Sequence, residues 1–234
     1  MPLHARAGAR PRNVAPTWTA ANGIGWLCNS AYGRSMQTAF EVPALPHMPE
    51  AGIAKLRELL TVSQCYLEYG SGGSTRLAAS LDVPIIYSVE SDQAFLNAVA
   101  AALGPTRSAF RPFYVDIGPT KEWGNPVDDS AFRKWPAYPF NVWQRIKDDG
   151  VMPDLVLIDG RFRVACALTS IMHLPAGTTI MVDDYADRVG SYRDIEKHAN
   201  LQGLVGVAAI FKTRASVDLT ELATDLARAC MRFD

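Results

Sequence analysis

The sequence predicts an α/β domain, doubly wound around a mostly parallel sheet. Three observations predict it. Short apolar runs, each ending in an acid, alternate with segments of helical period. One run is followed at once by a glycine-rich turn, Gly70-Ser-Gly-Gly-Ser-Thr75, that opens a helix. The next run ends in Glu90, about twenty residues beyond Gly70, where nucleotide-binding folds place a carboxylate for ribose hydroxyls. Alternating strands and helices require right-handed crossovers and place the strand ends along one edge.

The elements follow in order. Residues 1–45 read as an N-terminal arm, flexible or partly packed. It carries Arg6, Arg10, Arg12 and Arg34, with no acid before Glu41. A transit peptide shares this composition, but Trp18, Trp26, Leu27 and Tyr32 predict packing on a domain. The domain is expected over 46–234, after the punctuation of Pro46 and Pro49. Glu50–Leu60 reads as a helix with Ile53, Leu56 and Leu60 on one face. Cys65–Leu67 leads as a strand to Glu68, and the helix Arg76–Ser80 follows the turn. Ile85–Val89 is the second strand. Ser91 is expected to cap the helix Asp92–Leu103, whose Phe95, Val99 and Leu103 recur at helical spacing. Phe110–Val115 is the third strand, finishing at Asp116.

Ile117–Tyr138 breaks the alternation. Gly118-Pro119, Asn125-Pro126 and Trp135-Pro136 exclude a helix or central strand. Trp123, Trp135 and Tyr138 make the segment either a lid over the strand ends or a surface loop closed on its own aromatics. Then come a helix at Phe140–Lys147, a strand at Asp154–Ile158 ending in Asp159, a helix at Phe162–His173, and a strand at Thr179–Val182 ending in Asp183-Asp184. Ser191 and Asp194 are expected to pair as a helix cap. Asn200–Gly206 and Val207–Lys212 read as two late strands, and Asp218–Met231 as a helix with Leu219, Leu222 and Leu226 inward.

Bulk properties narrow the function. The chain has 234 residues, 48% hydrophobic and 20% charged, with formal net charge −1. It is globular, with no basic field to draw nucleic acid or membrane. Neither partner is expected. Four scattered cysteines give no metal spacing, and Cys65 and Cys166 read as reduced core residues. No apolar leader or membrane-length run is present, so a cytoplasmic location is expected. No nucleophile elbow supports hydrolysis. No Lys-Ser or Lys-Thr follows the glycines, which excludes a P-loop. The turn also lacks the last glycine of the dinucleotide fingerprint.

The strand-end acids Glu68, Glu90, Asp116, Asp159 and Asp183 are each open to a reading as helix cap or loop acid, but five together predict a ligand crevice. Here the chain resembles the class I S-adenosylmethionine-dependent methyltransferases. Glu68-Tyr-Gly70-Ser71-Gly72 matches their first motif, Glu90 their ribose-binding acid, and Asp116 an acid near the adenine. YLEYGSGGST, LIDGRFRVACAL and VDDY are similar to a group of bacterial methyltransferase-like proteins. The resemblance implies a Rossmann-like fold with a seven-stranded, mostly parallel sheet and helices on both faces. It implies a cofactor site of Glu68, Gly70, Ser71, Gly72, Glu90 and Asp116.

A second resemblance is to catechol-type and macrocin-type O-methyltransferases. It implies a Mg²⁺ site of Asp159, Asp183 and Asp184. Arg161 departs from that pattern and is expected to neutralise Asp159 in place of an ion. Asp159, Asp183 and Arg161 are the expected catalytic group. Arg161 or Arg163 would recognise an acidic acceptor, or else pair internally with Asp159 or Asp183. The expected function is methyl transfer, by O-methylation, to a small and acidic molecule. A non-catalytic cofactor-binding protein and a nicotinamide-dependent oxidoreductase are the alternatives.

Overall fold

The computed structural model describes residues 41–232. The expectations for residues 1–40, including Trp18, Trp26, Leu27 and Tyr32, lie outside the described residues.

The elements are α1 (Glu50–Val62), β1 (Cys65–Tyr69), α2 (Gly73–Ser80), β2 (Ile85–Glu90), α3 (Gln93–Leu103) and β3 (Ala109–Tyr114). They continue with α4 (Ala137–Asp149), β4 (Leu155–Ile158), α5 (Arg163–His173), β5 (Thr179–Val182), α6 (Val189–Tyr192), α7 (Asp194–His198), β6 (Ala199–Val205), β7 (Ala208–Thr213) and α8 (Leu219–Ala229). The seven strands form one sheet in the order β3-β2-β1-β4-β5-β7-β6. The first five are parallel to one another, while β7 runs antiparallel to β5 and β6. The chain order reverses beside β1, between β1 and β4, which opens a crevice there at the carboxyl ends.

The alternation of side chains across the sheet makes two cores. Leu67, Tyr69, Val156 and Ile158 pack with Val142, Trp143 and Ile146 of α4, with α5, and with Leu222 and Leu226 of α8. Tyr66, Ile86, Leu155 and Leu157 pack on the other face with Leu56 and Leu60 of α1 and Leu77 of α2. Strands β1, β4 and β5 are buried throughout, as central parallel strands covered on both faces must be. Cys65 and Cys166 are buried, and the Cys166 thiol donates to the Arg161 carbonyl at 3.4 Å.

Three local expectations give way. Asp92, rather than Ser91, caps α3 by accepting from the Phe95 N–H, because the helix begins one residue later. Ser191 and Asp194 form no cap, since Arg193 is already helical at the start of α7. Leu219 is 67% exposed because it opens α8 before that helix turns its apolar face to α5. Residues 41–45 lie against the start of α2. Val42 is buried, and its carbonyl accepts from Arg76 Nη1 at 2.7 Å. Among the described residues no helix is long and apolar enough to cross a membrane.

Candidate active site

The glycine-rich turn is held from below. Glu68 is wholly buried in β1 and accepts from Tyr66 Oη at 3.0 Å, Ser74 Oγ at 2.6 Å, Ser88 Oγ at 2.6 Å, and Thr75 Oγ1. Burial raises its pKa, and the four hydroxyls hold the rise in check. Its carboxylate fastens the first turn of α2 to β1 and β2. Sequence placed Glu68 among the cofactor contacts; the structure places it underneath, shielded from any ligand, as the residue that shapes the turn. Gly70 has φ +98°, and a Cβ there would stand 2.8 Å from Gly160 Cα. The turn thus requires glycine for its dihedral and for its contact with the loop after β4.

Ser71 joins the turn to the second acid. Its N–H donates to Glu90 Oε2 at 3.2 Å, and its hydroxyl lies 2.6 Å from Ser88 Oγ. Glu90 Oε1 accepts from the N–H groups of Ser91 at 2.6 Å and Asp92 at 3.0 Å, and from Ser91 Oγ at 3.2 Å. The carboxylate is nearly buried, which raises its pKa against these bonds. Oε2 carries fewer of them and keeps capacity for a ligand hydroxyl. Gly70, Ser71, Gly72 and Glu90 therefore converge at the crevice.

Asp116 behaves differently. It is exposed, accepts from the Gly118 N–H at 2.8 Å and from Lys134 Nζ at 2.7 Å, and has its pKa lowered chiefly by the Lys134 bond. It ties together the two ends of the aromatic segment. Within that segment Trp123 and Gly124 both adopt left-handed backbone, φ +62° and +69°. Gly124 lies over the site: a Cβ there would stand 3.1 Å from Ser91 Oγ and 3.9 Å from both Glu90 Oε1 and Arg161 Cγ. The Trp123 indole is 74% exposed and tilted against His47, with ring centroids 5.5 Å apart. Trp135 is buried and packs on Phe162 at 5.5 Å. The segment thus divides: Gly124 stands over Glu90 and Ser91, the Trp123 indole is exposed beside His47, and Trp135 is buried against Phe162.

At the ends of β4 and β5 the internal pairing expected of one of the two arginines falls to Arg163. Phe162, wholly buried, adopts left-handed backbone (φ +54°, ψ +42°) just before α5. Arg161 donates from Nη1 to Asn125 Oδ1 of the aromatic segment at 2.8 Å. Arg163 instead enters the acids, with Nη2 3.1 Å from Asp159 Oδ1 and Nη1 3.1 Å from Asp184 Oδ2. Its remaining bonds go to the carbonyls of Gly160 (Nε, 3.1 Å), Asp183 (Nη1, 2.7 Å) and Asp159 (Nη2, 3.2 Å). Arg163 is the arginine paired with Asp159 and the larger opposing charge on it, and the charge of Arg161 acts in the same direction to a lesser degree.

Burial pushes the Asp159 carboxyl up to about 7, opposed by the Arg163 charge and reinforced by Asp183 and Asp184. Burial, then the charge of Asp184, raises Asp183 as well. Asp183 Oδ1 is buried with no hydrogen-bond partner among the described residues. The site does not fit Mg²⁺. Two of the oxygens an ion would need are bonded to a guanidinium, and among the described residues no three His, Cys, Asp or Glu side chains are arranged to hold a metal.

Sequence reasoning missed Asn125 and the hydroxyls of Ser74, Thr75 and Ser88. The run Ser74-Thr75 in the first turn of a helix, beside a buried acid, was the available signal.

No protein-family model matches the sequence, and no curated protein matches it. Among solved structures the chain is similar to a methyltransferase-like protein from Silicibacter pomeroyi DSS-3, with 34% identity and a TM-score of 0.71, over 81% of this chain and 99% of that one. It shares the fold of an O-methyltransferase from Bacillus cereus, solved in complex with SAH, at 14% identity and a TM-score of 0.51 over 74% and 84% of the two chains. The sheet order, the braced glycine-rich turn and the first of these similarities lead to one conclusion: the chain belongs to the methyltransferase-like proteins.

Proposed function

We propose that this protein methylates an oxygen of a small, acidic acceptor, using S-adenosylmethionine bound at the crevice between β1 and β4. The observation that carries the reading is the bracing of Glu90 to the glycine-rich turn through the Ser71 N–H. This fixes a carboxylate beside a backbone surface open to a nucleoside. When bound, the cofactor supplies a methyl group already activated by a sulfonium charge. The protein's task is then chiefly alignment and proton removal.

Glu90 Oε2 would accept from the ribose hydroxyls, and Gly70–Gly72 would hold the rest of the nucleoside. Arg161, steadied by Asn125, supplies positive charge at the mouth and orients an acceptor carboxylate. The Asp159 carboxyl is partly exposed, and at about 7 it is poised to take the acceptor's proton. Asp183, more deeply buried, keeps Asp159 from ionising too readily. Gly124 covers Glu90 and Ser91 from the side of the aromatic segment.

Calorimetric titration with S-adenosylmethionine, S-adenosylhomocysteine and NAD tests the first half. The first two are expected to bind and NAD is not; the reverse would point to a dehydrogenase. Incubation with methyl-labelled cofactor and a fractionated pool of small acids tests the second half. Binding without transfer to any fraction would leave a cofactor-binding protein that is not a methyltransferase.

A further inference from the structure

We propose that Arg163 is a permanent internal cation that stands in the place of a divalent ion, so that this methyl-transfer site works without a metal. The geometry of one guanidinium carries the proposal. Arg163 is 3% exposed, and five oxygens surround its guanidinium as hydrogen-bond acceptors or ion-pair partners. Two acceptors are the carboxylates of Asp159 and Asp184, on the loops after β4 and β5. The other three are carbonyls of the same two loops. The fork therefore joins the strand ends at side-chain and main-chain level at once. An ion would have to displace it. Mg²⁺ demands six oxygens at about 2.0–2.1 Å, and the acids here are spaced for a planar guanidinium.

The backbone around Arg163 is shaped to hold it. Phe162 before it and Asp184 across from it are both left-handed, at φ +54° and +56°. Such strain in non-glycine residues persists where the surroundings over-determine it, as at functional sites. The bend at Phe162 sends Arg163 inward; Asp184 turns its carboxylate toward Nη1.

The substitution has a chemical consequence. A divalent ion binds an acceptor hydroxyl directly and acidifies it. Arg163 is buried among these oxygens and out of an acceptor's reach, so it is a positioning residue: it pairs with Asp159 Oδ1 and holds one positive charge beside it. Deprotonation is then left to Asp159. This last step rests on the methyl-transfer reading; the exclusion of metal does not.

The test is therefore a cation titration that needs no turnover. Free Mn²⁺ is followed by electron paramagnetic resonance as purified protein is added. The wild type is expected to leave the signal unchanged. Arg163→Ser, which opens the space between three carboxylates, is expected to gain a Mn²⁺ site, and Asp183→Asn in that background to abolish it. Arg163→Lys keeps a charge there and is expected to stay free of Mn²⁺. Retention of S-adenosylmethionine binding checks that each variant is folded. Mn²⁺ binding by the wild type, lost on Asp159→Asn or Asp183→Asn, would overturn the proposal whether or not the arginine variants fold. A folded Arg163→Ser that gains no site would also count against it.

Discussion

Gly70 and Gly160 face each other across the ends of β1 and β4, so closely that neither has room for a methyl group. A Cβ on Gly160 would stand 2.9 Å from Gly70 N and 2.4 Å from Tyr138 Oη. The backbone of Gly70 cannot retreat, because its N–H is bonded to the Val89 carbonyl at 2.9 Å. Gly160→Ala is expected to lower stability by about 1–3 kcal/mol, the range for overpacking, and to weaken cofactor binding by tilting the turn. Urea unfolding with a parallel ligand titration checks both. Unchanged values would mean that the two loops separate freely.

Glu68 and Glu90 are expected to part by phenotype. Glu68→Ala leaves four buried hydroxyls without their common acceptor. The expected cost is about 1–3 kcal/mol for each that finds no new partner. A thermal shift with ligand absent reads this directly. A fully stable Glu68→Ala would show that the hydroxyls re-pair among themselves.

Glu90→Gln keeps the size of the side chain and removes its charge. It is expected to weaken S-adenosylmethionine binding by about 1.5–3 kcal/mol, roughly ten- to a hundredfold, with little loss of folding stability. Calorimetry decides: an unaltered dissociation constant removes Glu90 from the ribose site.

The acids at the ends of β4 and β5 predict a pH dependence. With its carboxyl raised to about 7, folded Asp159 holds a proton that the unfolded chain releases near pH 4. Its contribution to stability is therefore fully present below about pH 4 and is lost as pH rises to about 7. Asp183, shifted the same way, adds to the decline. Urea midpoints measured across this window should fall with rising pH, and Asp159→Asn should flatten the fall. A rise with pH in the wild type would contradict the burial of these acids.

The two tryptophans of the aromatic segment should respond in opposite ways. Trp135→Ala removes a buried ring and is expected to cost about 3–5 kcal/mol. Trp123→Ala removes an exposed one and should change stability by no more than about 0.5 kcal/mol, while altering ligand affinity. Equal destabilisation by both would place Trp123 in the core.

Much of this fold is legible in the chain because its signals are local. Apolar runs of four to six residues, a glycine-rich turn after the first and an acid after the second mark β1, β2 and the place of Glu90. The site is less legible where the decisive geometry is not local. Arg161 is nearer Asp159 in sequence, but a left-handed Phe162 makes Arg163 the partner. Nothing in the composition of RFR announces that bend. Glu68 fits the family motif, yet its hydroxyl partners come from β1, α2 and β2 and are united only by folding. Trp123 and Trp135 look alike in a Pro-rich stretch. Which one is buried depends on where Phe162 lies.

The contact between Gly70 and Gly160 also bears on how the protein assembles. The two residues are ninety positions apart, and a second link of similar span, from the Gln64 N–H to Asp154, fastens the other end of the same strand pair. Such pairings close a long loop and form slowly. The chain up to β3 can therefore emerge from the ribosome with its glycine-rich segment written but not yet set. The glycine-rich turn takes its final shape only when β4 is inserted beside β1. Competence to bind the cofactor should thus appear late in refolding, with the docking of the second half, and a chain cut after β3 should lack it.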